Sequence, residues 1–142
     1  VPRDAMKHSA TMSWGGDVAK MISRLIGNEK AMCEAFTVST SEHQTWETIA
    51  GYYKEFLELE CIPVDNDTFL KIADYMTYQL KYDRCYDRII DNSKILSVTG
   101  LSQSDLMPLK KGLKTELDAL PKEFLWNDND ISQRMDKIIE KL

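Results

Sequence analysis

Two histidines, three cysteines and six glycines with a single adjacent pair are all that this 142-residue chain offers of the residues most catalytic and metal centres use. His8 lies in an irregular N-terminal stretch, and His43 falls where the first, solvated turn of a helix is expected. A Ser-His-Asp or Cys-His mechanism needs a base oriented by a third group, and neither position suggests one. No Gly-x-Ser-x-Gly, Walker-type loop or Gly-x-Gly-x-x-Gly is present, so nothing is shaped to cradle a phosphate. Cys33, Cys61 and Cys85 are too far apart for ligand spacing, with no histidine placed to complete a site. Asp65-x-Asp67 has the start of a calcium loop, but Phe69 and Leu70 fill the later positions and the required glycine is missing. Capping of a helix is the better reading of those aspartates. An enzyme, a metal site and a cofactor are therefore not expected.

Long apolar runs are equally scarce. The longest uncharged, apolar-rich stretch, Ile95 to Ser104, is far too short to span a bilayer, so no membrane partner is expected. The N-terminus, Val-Pro-Arg-Asp-Ala-Met-Lys-His-Ser, has no apolar core after its basic residue and does not read as a signal peptide. Because it opens without Met, the chain is expected to be a fragment or a processed piece. An odd number of separated cysteines points to free thiols in a reducing compartment, hence a cytoplasmic location; one disulfide plus a spare thiol in a secreted carrier is the alternative. A net charge of −5 and a pI near 5.1 argue against a surface that binds nucleic acid as a whole.

What the chain does have is helical periodicity. Residues 1–16 read as a flexible arm or linker whose order could come only from docking, and residues 17–142 as one helical domain. Val18, Met21, Ile22, Leu25 and Ile26 follow the spacing of one buried face behind an Asp17 cap. Ser41 to Gln44 suggests a capping box that opens a helix with Trp46, Ile49, Ala50, Tyr53, Leu57 and Cys61 inward and Ile62-Pro63 at its end. A third helix, capped by Asp65 to Asp67, is expected to run unbroken from Thr68 to Asp91, about 36 Å at 1.5 Å per residue. Ile95 to Val98 is the only strand-flavoured segment and reads as a buried connector. Ser104 should cap a helix with a ridge of Leu106, Leu109, Leu113, Leu117 and Leu120. Asp128 to Asp130 should cap the last, which carries Ile131, Met135, Ile138, Ile139 and Leu142 as its buried face. The expectation is an all-α, compact single domain of five or six helices with one long central helix.

Three features could carry function. Glu55, Glu58 and Glu60 fall on one helix and read as a solvated face. Tyr75, Tyr78, Tyr82 and Tyr86 could line a ligand pocket, but at helical spacing they read first as core and core-rim residues. Lys110, Lys111 and Lys114 lie in an acid-free window, Leu106 to Thr115, within an acidic chain. Arg134, Lys137 and Lys141 repeat at i, i+3, i+7 on the last helix, and antiparallel packing of the last two helices would merge both sets into one basic face. Such a face fits a protein partner with an acidic surface; a solvated face balanced by Glu116, Asp136 and Glu140 is the plain alternative.

A compact helical domain behind an arm, acidic overall with a local basic face, resembles the C-terminal domain of negative-strand RNA virus phosphoproteins, the plant rhabdovirus kind most closely. The resemblance covers organisation from about Asp17 to Leu142 and rests on no sequence motif. It implies a non-enzymatic domain that docks on nucleoprotein in complex with RNA and tethers the viral polymerase in the host cytoplasm. Lys110, Lys111, Lys114, Arg134, Lys137 and Lys141 would be its nucleoprotein contacts. Two other readings stand beside it. One is a helical ligand carrier of the odorant-binding type, whose Cys-x-x-x-Cys pair is absent here. The other is a helical subunit of a larger assembly, with the leucine ridge as its contact.

Overall fold

Ala10, with no exposed surface, marks where the chain is tied together in a computed structural model that describes residues 1–121 and 130–141. Ala10 sits in strand β1 (Ser9–Thr11), which pairs antiparallel with β2 (His43–Thr45) in the register Ser9–Thr45, Ala10–Gln44, Thr11–His43. Eight α-helical segments surround this ribbon among the described residues: α1 (Arg3–Met6), α2 (Gly15–Leu25), α3 (Trp46–Leu57), α4 (Asn66–Ile72), α5 (Thr77–Gln79), α6 (Ser93–Thr99), α7 (Leu109–Asp118) and α8 (Asp130–Ile139). The chain is thus mostly helical but not strictly all-α, and its helices are more numerous and shorter than expected.

Residues 1–16 are built into the fold instead of standing off it as an arm. The Arg3 N–H donates to Val64 O at 2.8 Å, the Trp46 N–H to His8 O at 3.0 Å, and Ala5 and Ala10 are core residues. Ala10 packs with Ile49 of α3 and Leu109 of α7, and Met12, Trp46, Tyr53 and Leu113 close around them. Helices α2 and α6 pack as a second pair, which buries Met21 and Ile95.

The long central helix does not form. Helix α4 is capped by Asp65, which accepts the Thr68 N–H at 2.8 Å as its sequence suggests, but it stops at Ile72. Ala73 leaves helical geometry (φ −128°, ψ 61°), and the Asp74 carboxylate takes the Tyr75 N–H at 3.0 Å. A short aspartate side chain that satisfies its own backbone competes with helix propagation. A 3-10 turn (Asp74–Met76), α5 and a π turn (Leu80–Arg84) follow. Beyond them Asp87 accepts the Ser9 N–H at 2.7 Å and Arg88 donates its N–H to Ser9 O at 2.8 Å, so β1 takes the backbone that a longer helix would have used.

Other boundaries moved for similar reasons. Residues 43–45 pair as a strand, so the helix expected from Ser41 begins at Trp46, with the Thr45 hydroxyl accepting the Thr48 N–H at 3.1 Å. It ends at Glu58, which is left-handed (φ 54°), and not at Pro63. The strand-flavoured Ile95 to Val98 is the body of α6, closed by Gly100 at φ 65°. Ser104 does not cap α7; the Glu42 carboxylate accepts the Leu109 N–H there at 2.9 Å. Ile22 of α2 and Ile26 just past its end, both expected on the buried face, are exposed, as is Met32. The expected cap at Asp128 and the residues Phe124 to Trp126 lie outside the described residues.

Candidate docking surfaces

Helix α7 places its three lysines on the side away from Leu109 and the buried Gly112. Two of the three are occupied within the chain. Lys110 Nζ lies 2.8 Å from Glu55 of α3, and its ammonium stands over the Tyr52 and Phe56 rings at 5.4 and 5.9 Å. Lys114 Nζ reaches both oxygens of Asp118 at 2.9 Å and lies 5.8 Å from the Phe56 ring. The Lys110–Glu55 pair and the contacts on the Tyr52 and Phe56 rings staple α7 to α3, the Lys114–Asp118 pair lies within α7, and together they neutralise most of the charge that the acid-free window suggested. Glu55, read as a plain solvated acid, is one of the staples. Lys111 alone of the three is exposed with no carboxylate partner among the described residues.

Helix α8 packs on α4, where Met135 and Ile139 line a hollow with Ile62, Phe69 and Ile72. The antiparallel α7–α8 pairing that would join the two basic sets is therefore not what positions α8. Lys137 and Lys141 are exposed, without an ion pair among the described residues. The Arg134 side chain lies outside the described residues. The structure brings Lys110, Lys111 and Lys114 together and leaves Lys137 and Lys141 on a helix with a different packing partner.

The larger departure from an ordinary surface lies elsewhere. Tyr75, Tyr78, Tyr82 and Tyr86 are 59, 74, 67 and 59% exposed, and Ile89 is 57% exposed. They belong to residues 75–89, the irregular helical segment and the stretch that follows it. The Tyr78 and Tyr82 rings lie 5.1 Å apart, tilted by 44°, and support each other in solvent. Their helical spacing predicts core or core-rim positions, but the structure places them in water. The inward positions of the same turns go instead to Met76, Leu80 and Arg84, a stripe with a spacing of four, and Leu80 is fully buried. The sequence carries a second stripe beside the tyrosines, Phe69, Ile72, Ala73, Met76 and Leu80; only one of the two could face the interior, and the stripe of phenols is the one that tolerates water.

Behind this segment, Trp46 is held by cations. The Arg84 and Arg88 guanidinium carbons stand 4.7 and 5.6 Å from its ring, while its indole N–H is buried with no acceptor among the described residues. Asp83 lies 3.6 Å from Arg84 Nε and 3.2 Å from Arg88 Nε, shared between them. Asp87 is engaged with the Ser9 N–H and with His8, which together hold its carboxyl below the usual carboxylate value. Cys33, Cys61 and Cys85 are free thiols, Cys33 exposed. No helix among the described residues is long and apolar enough to cross a membrane. No family of known proteins, no curated protein and no solved structure matches this chain.

Proposed function

We propose that this chain is a non-enzymatic protein-interaction domain whose docking surface is the tyrosine strip of residues 75–89. The observation that carries the reading is the exposure of four tyrosines and Ile89 on one short segment. Tyrosine gives a large, stiff contact area at low entropic cost, and its hydroxyl tolerates water in the unbound state, which is why interfaces are enriched in it. A strip that served only solubility would be charged.

The partner is a protein with an acidic surface, steered by the exposed Lys111, Lys137 and Lys141; complementary charge acts mainly on association rate and orientation. In the form that the phosphoprotein resemblance gives, the partner is nucleoprotein bound to RNA in the host cytoplasm, and docking tethers the polymerase to its template. The experiment is co-sedimentation with nucleoprotein–RNA rings. Tyr78→Ser with Tyr82→Ser should keep the thermal midpoint and lose about tenfold or more in affinity, as interface aromatics do. Lys111→Glu with Lys137→Glu and Lys141→Glu should weaken binding severalfold, less so as salt rises. Wild-type affinity in the tyrosine variant would remove the strip from the interface. Failure of the wild-type chain to co-sediment would remove nucleoprotein as the partner.

A further inference from the structure

The turns that carry the tyrosines outward also wall a cavity of about 290 Å³. Met76, Leu80 and Arg84 line one side, Ile49 and Ala50 of α3 another, and Phe69 of α4 a third. It opens to solvent on one side, so it is a pocket that a ligand could enter and not a sealed core void. Its volume is about twice the ~150 Å³ of an engineered apolar cavity that takes up benzene. It also reaches the lower end of the roughly 300–1,000 Å³ of ligand pockets. A π turn, Leu80–Arg84, forms part of its wall, and such turns recur at functional sites.

The lining is mostly apolar. Among the described residues Arg84 is the only charged side chain that borders the cavity, and the Val1 ammonium at its rim is engaged, donating to Ile62 O at 2.8 Å. Its guanidinium and that of Arg88 share the single Asp83 carboxylate, so the group Arg84–Asp83–Arg88 keeps one positive charge in excess. Stacking on Trp46 holds Arg84 at 4.7 Å from the ring and fixes that charge beside the apolar space. An apolar body of roughly ten carbons, scaled from benzene in a cavity half the size, would fill the volume. An anionic head would meet the guanidinium. We infer that the cavity is a binding site for a medium-chain carboxylate, with its alkyl chain between α3 and α4 and its head on Arg84.

The test is isothermal titration of the whole chain with decanoate and with decan-1-ol, both below their aggregation limits. Decanoate should bind with one-to-one stoichiometry and about tenfold more tightly than the alcohol, the difference of one charge-assisted contact. Arg84→Gln should bring the two ligands to similar affinity, and Ala50→Phe should abolish both by occupying the space. Tyr78→Ser with Tyr82→Ser should leave decanoate binding unchanged, which separates this site from the docking strip. Absence of saturable decanoate binding by the wild-type chain would overturn the inference, as would an acid–alcohol difference that survives Arg84→Gln. So would undiminished binding to a folded Ala50→Phe chain. Should Ala50→Phe not fold, the head-group comparison with and without Arg84 decides.

Discussion

The carboxylate of Asp17 accepts the backbone N–H of Met107 at 2.6 Å, with 2% of the residue exposed and Lys20 Nζ 3.1 Å from its other oxygen. This is not the helix cap that the sequence suggests, because α2 starts two residues earlier, at Gly15. The bond pins the connector between α6 and α7 onto α2. Asp17→Ala should destabilise the chain by about 2–4 kcal/mol, since it removes a charge-assisted bond and orphans a half-buried N–H. Asp17→Asn should cost less, because its amide oxygen still accepts. Urea denaturation of the two variants checks this, and equal losses would show that Met107 is not the partner that matters.

Two glycines beside Trp14 should respond with opposite signs. A Cβ on Gly16 would come within 2.2 Å of the Trp14 ring, whereas a Cβ on Gly112 would meet Trp14 and Met107 at 3.4 Å, an ordinary contact. Gly16→Ala should expel the indole from its place beside Glu116 and lower the thermal midpoint. Gly112→Ala should raise it, because alanine stabilises a helix interior by up to about 1 kcal/mol relative to glycine. Thermal unfolding of both variants gives the two signs directly.

The acid limb of the stability curve should be set by capping aspartates. Accepting the Thr68 N–H, and then its hydroxyl, holds the Asp65 carboxyl below its ordinary value of 3.8. The Ser93 N–H does the same for Asp91, and the Ser102 hydroxyl and N–H for Asp105. A carboxyl depressed in the folded state contributes stability that is complete above its unfolded value. That contribution is lost as pH falls through the folded value. Stability should therefore drop as pH is lowered below about 4. Asp65→Ser, which caps without titrating, should make that drop shallower, as chemical denaturation between pH 7 and pH 3 would show.

The lysine staple should be weak. Lys110 and Glu55 are both about half exposed, so a double-mutant cycle with Lys110→Ala and Glu55→Ala should return a coupling of about 0.2–1 kcal/mol. The coupling should fall when salt is raised from 0.1 M toward 1 M. A value several times larger would mean that the Tyr52 and Phe56 rings shield the pair from solvent.

Helical spacing made the existence of most helices legible, and local chemistry made some ends legible: Asp65 caps α4, and Gly27 at φ 73° lies just past the end of α2. What the sequence hid was long-range pairing. Nothing local in Ser9–Thr11 or His43–Thr45 marks a strand, because three residues are too few to show alternation. That ribbon is also why α3 starts late and why the backbone at Asp87 and Arg88 is drawn out of the helix. The lysine window was legible as charge, but its neutralisation by Glu55 depended on how α3 meets α7. The tyrosines were legible as a stripe, and periodicity alone could not say which of two stripes on one segment would face water.

The docked first residues also set the order in which this chain can be completed on a ribosome. Ala10 waits for Ile49 and then for Leu109, the Arg3 N–H waits for Val64, and the Trp14 indole waits for Glu116. Each of these closures spans tens of residues, and a loop pays its closure entropy before its contacts repay it. The N-terminal half therefore leaves the exit tunnel with its core face open, and the chain locks only after α7 has emerged. Any slowing of elongation before Leu109 prolongs the exposure of that face, when a misplaced contact does most harm.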